Sequence, residues 1–237
     1  MITYTRKVNI DAFYRVRRLA NETPFTQKSE LLYPPPSIEH QDRMNNMSSR
    51  VLYVSLHEYT AMAETKIDAS FINSHFQLTK FSADREITVF SLGDFNNIYK
   101  NTPRDSIYFN QAAKHYIGHS TDATIKGYAA LECAIAEVLY DQTDNYHILS
   151  SIMADAIFTA NPIIEAIMYP SVQNRYGINF AINKKLSDEL IMKNSFVNKL
   201  IDVYRNGFFK YSTVKECIKI NGNDLVFSTV ETASVFR

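Results

Sequence analysis

Glycine is scarce in this chain: six occur in 237 residues, and none builds a G-x-G-x-x-G turn or a P-loop. That speaks against an ordinary Rossmann dehydrogenase or P-loop NTPase, whatever nucleotide the chain binds. No G-x-S-x-G elbow occurs either. Cysteine is scarcer still. Cys133 and Cys217 are too few for a disulfide framework and favour a reducing compartment. Cys133, within the helical stretch Ala-Leu-Glu-Cys-Ala-Ile-Ala, reads as a small core residue. No run is apolar enough to span a bilayer, since even Ala129 to Tyr140 is interrupted by Glu132 and Glu137. The first residues lack the apolar run of a signal peptide. The expectation is a soluble, cytoplasmic protein without a membrane partner.

An excess of charge is also missing. The 25 basic and 25 acidic side chains cancel, whereas a nucleic-acid binder usually carries a basic surplus to neutralise phosphates. Direct binding of nucleic acid is not expected. Neutrality mildly favours a partner or self-association into a homo-oligomer. What the chain has is core material: 46% hydrophobic residues, with fifteen Tyr and fifteen Phe.

With no repeat, low-complexity tract or Gly/Ser linker, the chain reads as one domain over residues 1–237. Phe13 to Arg17 alternates large apolar and basic residues like a strand. Pro34-Pro35-Pro36 then sits in a polar passage too long for a simple connector. Val51 to Ser55 is β-prone and sets Tyr53 on the opposite face from Leu52 and Val54. Ser55-Leu-His-Glu58 has the form of a capping box, predicting a helix through about Ile67 with Glu64 near its end.

Strands are predicted near Phe76–Phe81 and Glu86–Leu92. Helices follow over Ile107–Ile117, Asp122–Tyr140 and Tyr146–Phe158, then strands over Ile163–Tyr169 and Ile178–Ile182. Gly207 to Ser228 reads as a hairpin around Asn221-Gly-Asn-Asp224. Strands, helices and strands again argue for an α+β domain with a mixed, mostly antiparallel β core and flanking helices. His115 and His119 lie one helical turn apart, but Gly118 weakens that helix and no cysteine or acid completes a ligand set, so no metal is expected. His147 and Asp155 read as a surface or buried polar pair.

The most informative block runs from Asp42-Arg-Met-Asn through the Tyr53 strand to Ala-Met-Ala-Glu64. It resembles the core of RES domains, in which Gly-Arg-x-Asn is followed by a Tyr-bearing strand and a helix ending near Glu. Arg43, Asn45, Tyr53 and Glu64 fall at that family spacing. Two further pieces agree in order. Phe13-Tyr-Arg15-Val resembles the opening Tyr-Arg strand, and Tyr169-Pro-Ser171-Val with Gly177-x-Asn179-Phe resembles the later Pro-Ser element and its Asn strand. The recognisable core covers about 13–185, leaving 186–237 as a strand-rich C-terminal extension. Asp42 stands where the family has Gly, and Met47-Ser48-Ser49 replaces the usual Pro or Gly of the following turn.

The resemblance implies a fold related to the ADP-ribosyltransferases and breakdown of NAD. NAD would be a substrate, with no resident cofactor and inorganic phosphate a candidate co-substrate. Many members are toxins paired with a DNA-binding Xre-type antitoxin protein. The residues fit that chemistry. Arg15 and Arg43 can hold pyrophosphate bidentately. Tyr53 can stack on nicotinamide or orient ribose. Glu64 can stabilise the oxocarbenium-like state as the glycosidic bond breaks. Ser171, Asn179 and Asn45 can supply neutral hydrogen bonds to the substrate. Arg43, Tyr53 and Glu64 are thus the expected catalytic group. Nicotinamide departs neutral, so no dedicated acid is required. Taken singly, each of these residues also has an ordinary structural reading, as an edge-strand cation, core tyrosine or helix decoration. Water, phosphate and a macromolecule remain open as acceptors, as does a non-catalytic nucleotide- or partner-binding module.

Overall fold

The alternation that begins at Phe13 forms a strand, β2 (Phe13–Leu19), running on past Arg17. The computed structural model describes residues 5–34, 42–46, 49–92, 127, 130–131, 133–135, 137–139, 144–174, 177–205, 207–230 and 235–236. The predicted helix over Ile107–Ile117, part of that over Asp122–Tyr140, the His115/His119 pair, Pro35, Pro36, Met47 and Ser48 lie outside them.

The other strands are β1 (Thr5–Val8), β3 (Val51–Ser55), β4 (His75–Ser82), β5 (Ile87–Ser91), β6 (Ala166–Pro170) and β7 (Ile178–Asn183), followed by β8 (Ile191–Val203), β9 (Phe209–Asn221), β10 (Asp224–Thr229) and β11 (Val235–Phe236). They form one eleven-stranded sheet in the order β1-β5-β6-β7-β3-β2-β4-β8-β9-β10, with β11 on β9. Among these pairings only β5–β6 is parallel. Helices with bounds among the described residues are α1 (Lys28–Leu31), α2 (Glu58–Glu64), α3 (Asp144–Ala160) and α4 (Lys184–Glu189), and the described residues between 127 and 139 are helical as well. The fold is α+β, as the sequence pattern predicts. None of the helices among the described residues is long and apolar enough to cross a membrane.

Side-chain alternation sorts the sheet into two faces. Leu52 and Val54 of β3, Phe180 and Ile182 of β7, and Met168 of β6 enter one core, where Phe13 meets Phe180 edge-on at 5.2 Å. Tyr53, Ala181, Ile167 and Tyr169 enter another, against Ala154 and Ile157 of α3. A third cluster packs Ala61 and Met62 of α2 on Val16, Leu78 and Leu200. β2 and β3 are joined by one registered pair, Tyr14 with Ser55, while β2 runs along β4 from Phe13 to Leu19. The sheet is therefore thinly stitched between its halves at β2 and β3.

The tail completes this sheet. β8 pairs with β4, and β9 turns into β10 through Gly222 (φ 61°) at the predicted hairpin. Three local expectations are overturned. Ser55 does not cap α2: it stays in β3, its hydroxyl bonded to Asn179, and His57 occupies the N-cap without a side-chain bond. The helix also stops at Glu64 rather than Ile67. Thr65 donates its hydroxyl to the Ala61 carbonyl and Lys66 turns left-handed at φ 54°. Cys133 is exposed, not core. The face of its helix that packs on the α3 cluster carries Ile135 and Leu139, and two residues at 100° each carry Cys133 round to the other side.

Candidate functional site

The strand register sets the floor of a cleft. Tyr169 pairs with Asn179, Asn179 with Ser55, and Ser55 with Tyr14, a row across four strands. All four line one cavity of about 400 Å³, within the size range of small-molecule sites. The end of α2 closes one side with Glu64, Thr65 and Lys66; the Asp42–Arg43 turn and His147 close others. The cleft lies where β2 and β3 part.

Glu64 is the hub. Its Oε1 accepts hydrogen bonds from Ser171 Oγ at 2.6 Å and Asn179 Nδ2 at 2.7 Å. Asn179 is oriented in turn by Ser55, whose hydroxyl donates to its Oδ1 at 2.7 Å. Charge-assisted bonds of this length fix a carboxylate firmly. They occupy one oxygen, and Oε2 takes no hydrogen bond among the described residues. The same end of α2 is anchored by its backbone too, because the Arg18 guanidinium donates to the carbonyls of Thr65 and Lys66.

Ser171 follows Pro170 at the end of β6 and is fully buried behind the wall. Its Oγ accepts from the Asn174 backbone, while its own N–H donates to the Gly177 carbonyl. Gly177 is required by space: a Cβ there would come within 2.5 Å of Thr60 Cγ2 and 2.9 Å of Ser171 Cβ. Gly177→Ala is expected to destabilise the protein by about 1–3 kcal/mol and to displace Ser171 from Glu64. Thermal melts and turnover check both effects. An unshifted melting temperature would show that the loop yields instead.

Tyr53 and Asn45 have a different relation from the one expected. The Tyr53 hydroxyl donates to Asn45 Oδ1 at 2.8 Å and accepts from the Met44 N–H at 2.8 Å. It thereby clamps the tight 42–45 turn, closed by backbone bonds between Asp42 and Asn45, that carries Arg43 into the cavity. Asn45 is buried and stands behind this turn rather than in the cavity wall. The Tyr53 ring remains as a wall facing the cavity. Burial pushes its phenol well above the ordinary value, and does the same to Tyr169. Tyr53→Phe is expected to keep the ring wall but loosen the Arg43 turn. Substrate affinity should fall by roughly fivefold to tenfold, the worth of about one hydrogen bond; an unchanged KM would separate Arg43 from binding.

Arg15 enters from β2. Its Nη1 is shielded from solvent and has no hydrogen-bond partner among the described residues. Burial and then the neighbouring Arg17 lower its guanidinium to a pKa of about 9, against some relief from Tyr53. Even so it is charged at neutral pH. A charge held like this without a counter-ion among the described residues is a demand for an anion. Arg43 and Lys66 add positive charge to the same walls.

Of the seven residues expected from sequence, Arg15, Arg43, Tyr53, Glu64 and Asn179 thus line one cavity, while Ser171 and Asn45 brace it from behind. Sequence reasoning missed Tyr169, His147 and the bracing pair Thr60–Asn174, bonded at 3.0 Å. Tyr169 was legible, since it stands two residues before Ser171 on a strand. No metal-holding cluster of His, Cys, Asp and Glu occurs among the described residues.

The RES domain model matches residues 12–194, most of the chain, from just before β2 into the start of β8. No curated protein matches the chain.

Proposed function

Since the chain belongs to the RES-domain family, a family of NAD-related, toxin-like proteins, we propose that it cleaves the nicotinamide–ribose bond of NAD. The enzyme is a glycohydrolase or a phosphorylase, according to whether water or inorganic phosphate accepts the ribosyl carbon. It acts in the cytoplasm as a growth-arresting toxin held in check by an Xre-type antitoxin. One observation carries the reading. A carboxylate braced on one oxygen by Ser171 and Asn179 shares a cleft with a guanidinium whose solvent-shielded Nη1 has no hydrogen-bond partner among the described residues.

The two groups divide the substrate between them. Arg15, with Arg43 and Lys66, suits the pyrophosphate. The rings of Tyr53 and Tyr169 suit the flat pyridine. Glu64 Oε2 suits the ribose, where positive charge builds as the glycosidic bond lengthens. The bonding pair leaves with nicotinamide, which departs neutral, so no protein acid has to protonate it. An acceptor oxygen then bonds to the ribosyl carbon and releases its proton to solvent.

The deciding experiment incubates purified protein with NAD, with and without inorganic phosphate, and identifies products by mass. Release of nicotinamide supports the proposal, and ADP-ribose or its 1-phosphate names the acceptor. Label carried from NAD onto protein or nucleic acid would instead make the chain an ADP-ribosyltransferase. Intact NAD from folded protein would overturn the reading and favour a binding module.

A further inference from the structure

α3 lays one stripe on the sheet. Ser150, Ser151, Ala154 and Ile157 are buried, whereas Ile148, Leu149 and Ile152 point away and are exposed. His147 extends the buried stripe by one turn, standing three and four residues before the two serines. That places its imidazole in the wall of the cleft, over the same sheet face as Tyr53 and Tyr169. Its Nε2 is shielded from solvent and has no hydrogen-bond partner among the described residues. Among the described lining residues, only Arg15 shares that condition.

Buried polar atoms are nearly always paired, and an exception beside a cavity marks where a ligand completes the bond. The two unpaired atoms ask for different things. Arg15 asks for an anion. With the ring proton on Nδ1, His147 Nε2 is an acceptor and asks for an N–H or O–H donor. The part of NAD that belongs against two tyrosine rings is the pyridine, whose edge carries a carboxamide. Its N–H groups need an acceptor once water is displaced.

Resting on the NAD reading above, we propose that His147 accepts a hydrogen bond from the nicotinamide carboxamide through Nε2, and thereby selects carboxamide over carboxylate pyridine dinucleotides. The deamidated dinucleotide offers an acceptor where Nε2 needs a donor, so the protein should discriminate against it. A site built to bond an N–H rejects the analogue lacking it, because its own polar atom is left unpaired.

The test measures binding by calorimetry in the full chain carrying Glu64→Gln, which slows turnover. Three probes are used: NAD, its deamidated form and ADP-ribose. The parent should prefer NAD to the deamidated form by about tenfold, or about 1.4 kcal/mol. Adding His147→Phe should remove that preference and weaken NAD by a similar factor, leaving ADP-ribose unchanged. His147→Gln, which keeps an acceptor near the same point, should retain most of the affinity. Equal affinity of the parent for NAD and the deamidated form would overturn the proposal without any His147 variant. So would parallel loss of NAD and ADP-ribose in His147→Phe, or undiminished NAD binding there. A parent that binds none of the three probes removes the NAD reading itself, and the role of His147 with it.

Discussion

Glu64→Gln is expected to lower nicotinamide release from NAD by about 100-fold to 1,000-fold, the range for losing one preorganised electrostatic group. The melting temperature should stay within about 2 °C of the parent, a change worth under 1 kcal/mol in a chain of this size. The structure makes this substitution cleaner than removal of the side chain. The amide oxygen of Gln can still accept from Ser171 and Asn179, which bond Glu64 Oε1 at 2.6 and 2.7 Å. Only the charge is lost. Glu64→Ala would also strand a buried serine hydroxyl and an asparagine amide, costing about 1–3 kcal/mol and confusing chemistry with folding. Turnover is followed by mass detection of nicotinamide, and folding by thermal melts. A well-folded Glu64→Gln protein with parental turnover would remove Glu64 from the reaction and leave the cleft as a binding site.

Much of this site could be read before the fold was known, for a physical reason. Tyr53 sits in a β-prone run that fixes its face, and Glu64 lies near the end of the helix expected after it, although that helix stops at Glu64 rather than Ile67. The errors lie where a local rule was outvoted by a partner far along the chain. Ser55 resembles a helix cap, but its hydroxyl has a better acceptor in Asn179, 124 residues away. The Tyr53 hydroxyl looked available to substrate, but Asn45 and the Met44 N–H take it.

β8 shows a second kind of illegibility. The sequence places a strand-rich extension over 186–237 but not this strand, because polar Ser195 and Asn198 are buried among the apolar Met192, Val197 and Leu200 and break the apolar alternation. Ser195 bonds Gln77 and Thr79, and Asn198 bonds Thr213, all at 2.8–2.9 Å. Irregular register between Val197 and Asn198, and again between Leu200 and Asp202, interrupts what alternation remains. Apolar periodicity reports burial by hydrophobic contact and is blind to burial by hydrogen bonds. The same blindness hid His147, whose importance is an atom left unpaired rather than a residue type in a pattern.

Arg15 supplies the second large effect, with opposite signs on two measurements. Arg15→Met keeps the aliphatic bulk and removes the guanidinium. In the empty protein, a shielded nitrogen without a partner and a second arginine nearby both oppose the charge. Its removal should therefore stabilise the fold. The residue is only partly enclosed and the cleft admits solvent, which screens the penalty. A gain of about 1 kcal/mol is expected, or roughly 2–4 °C in melting temperature. The dinucleotide should respond the other way. Losing a buried charged hydrogen-bond donor to phosphate typically costs about 2–5 kcal/mol, so NAD affinity should fall by about 30-fold or more. Inorganic pyrophosphate offers an independent check, since it should raise the melting temperature of the parent and leave Arg15→Met unmoved. A variant that melts lower and still binds NAD like the parent would make Arg15 a structural cation. Greater stability with weaker binding would mean that the fold holds Arg15 at a cost which only a bound anion offsets.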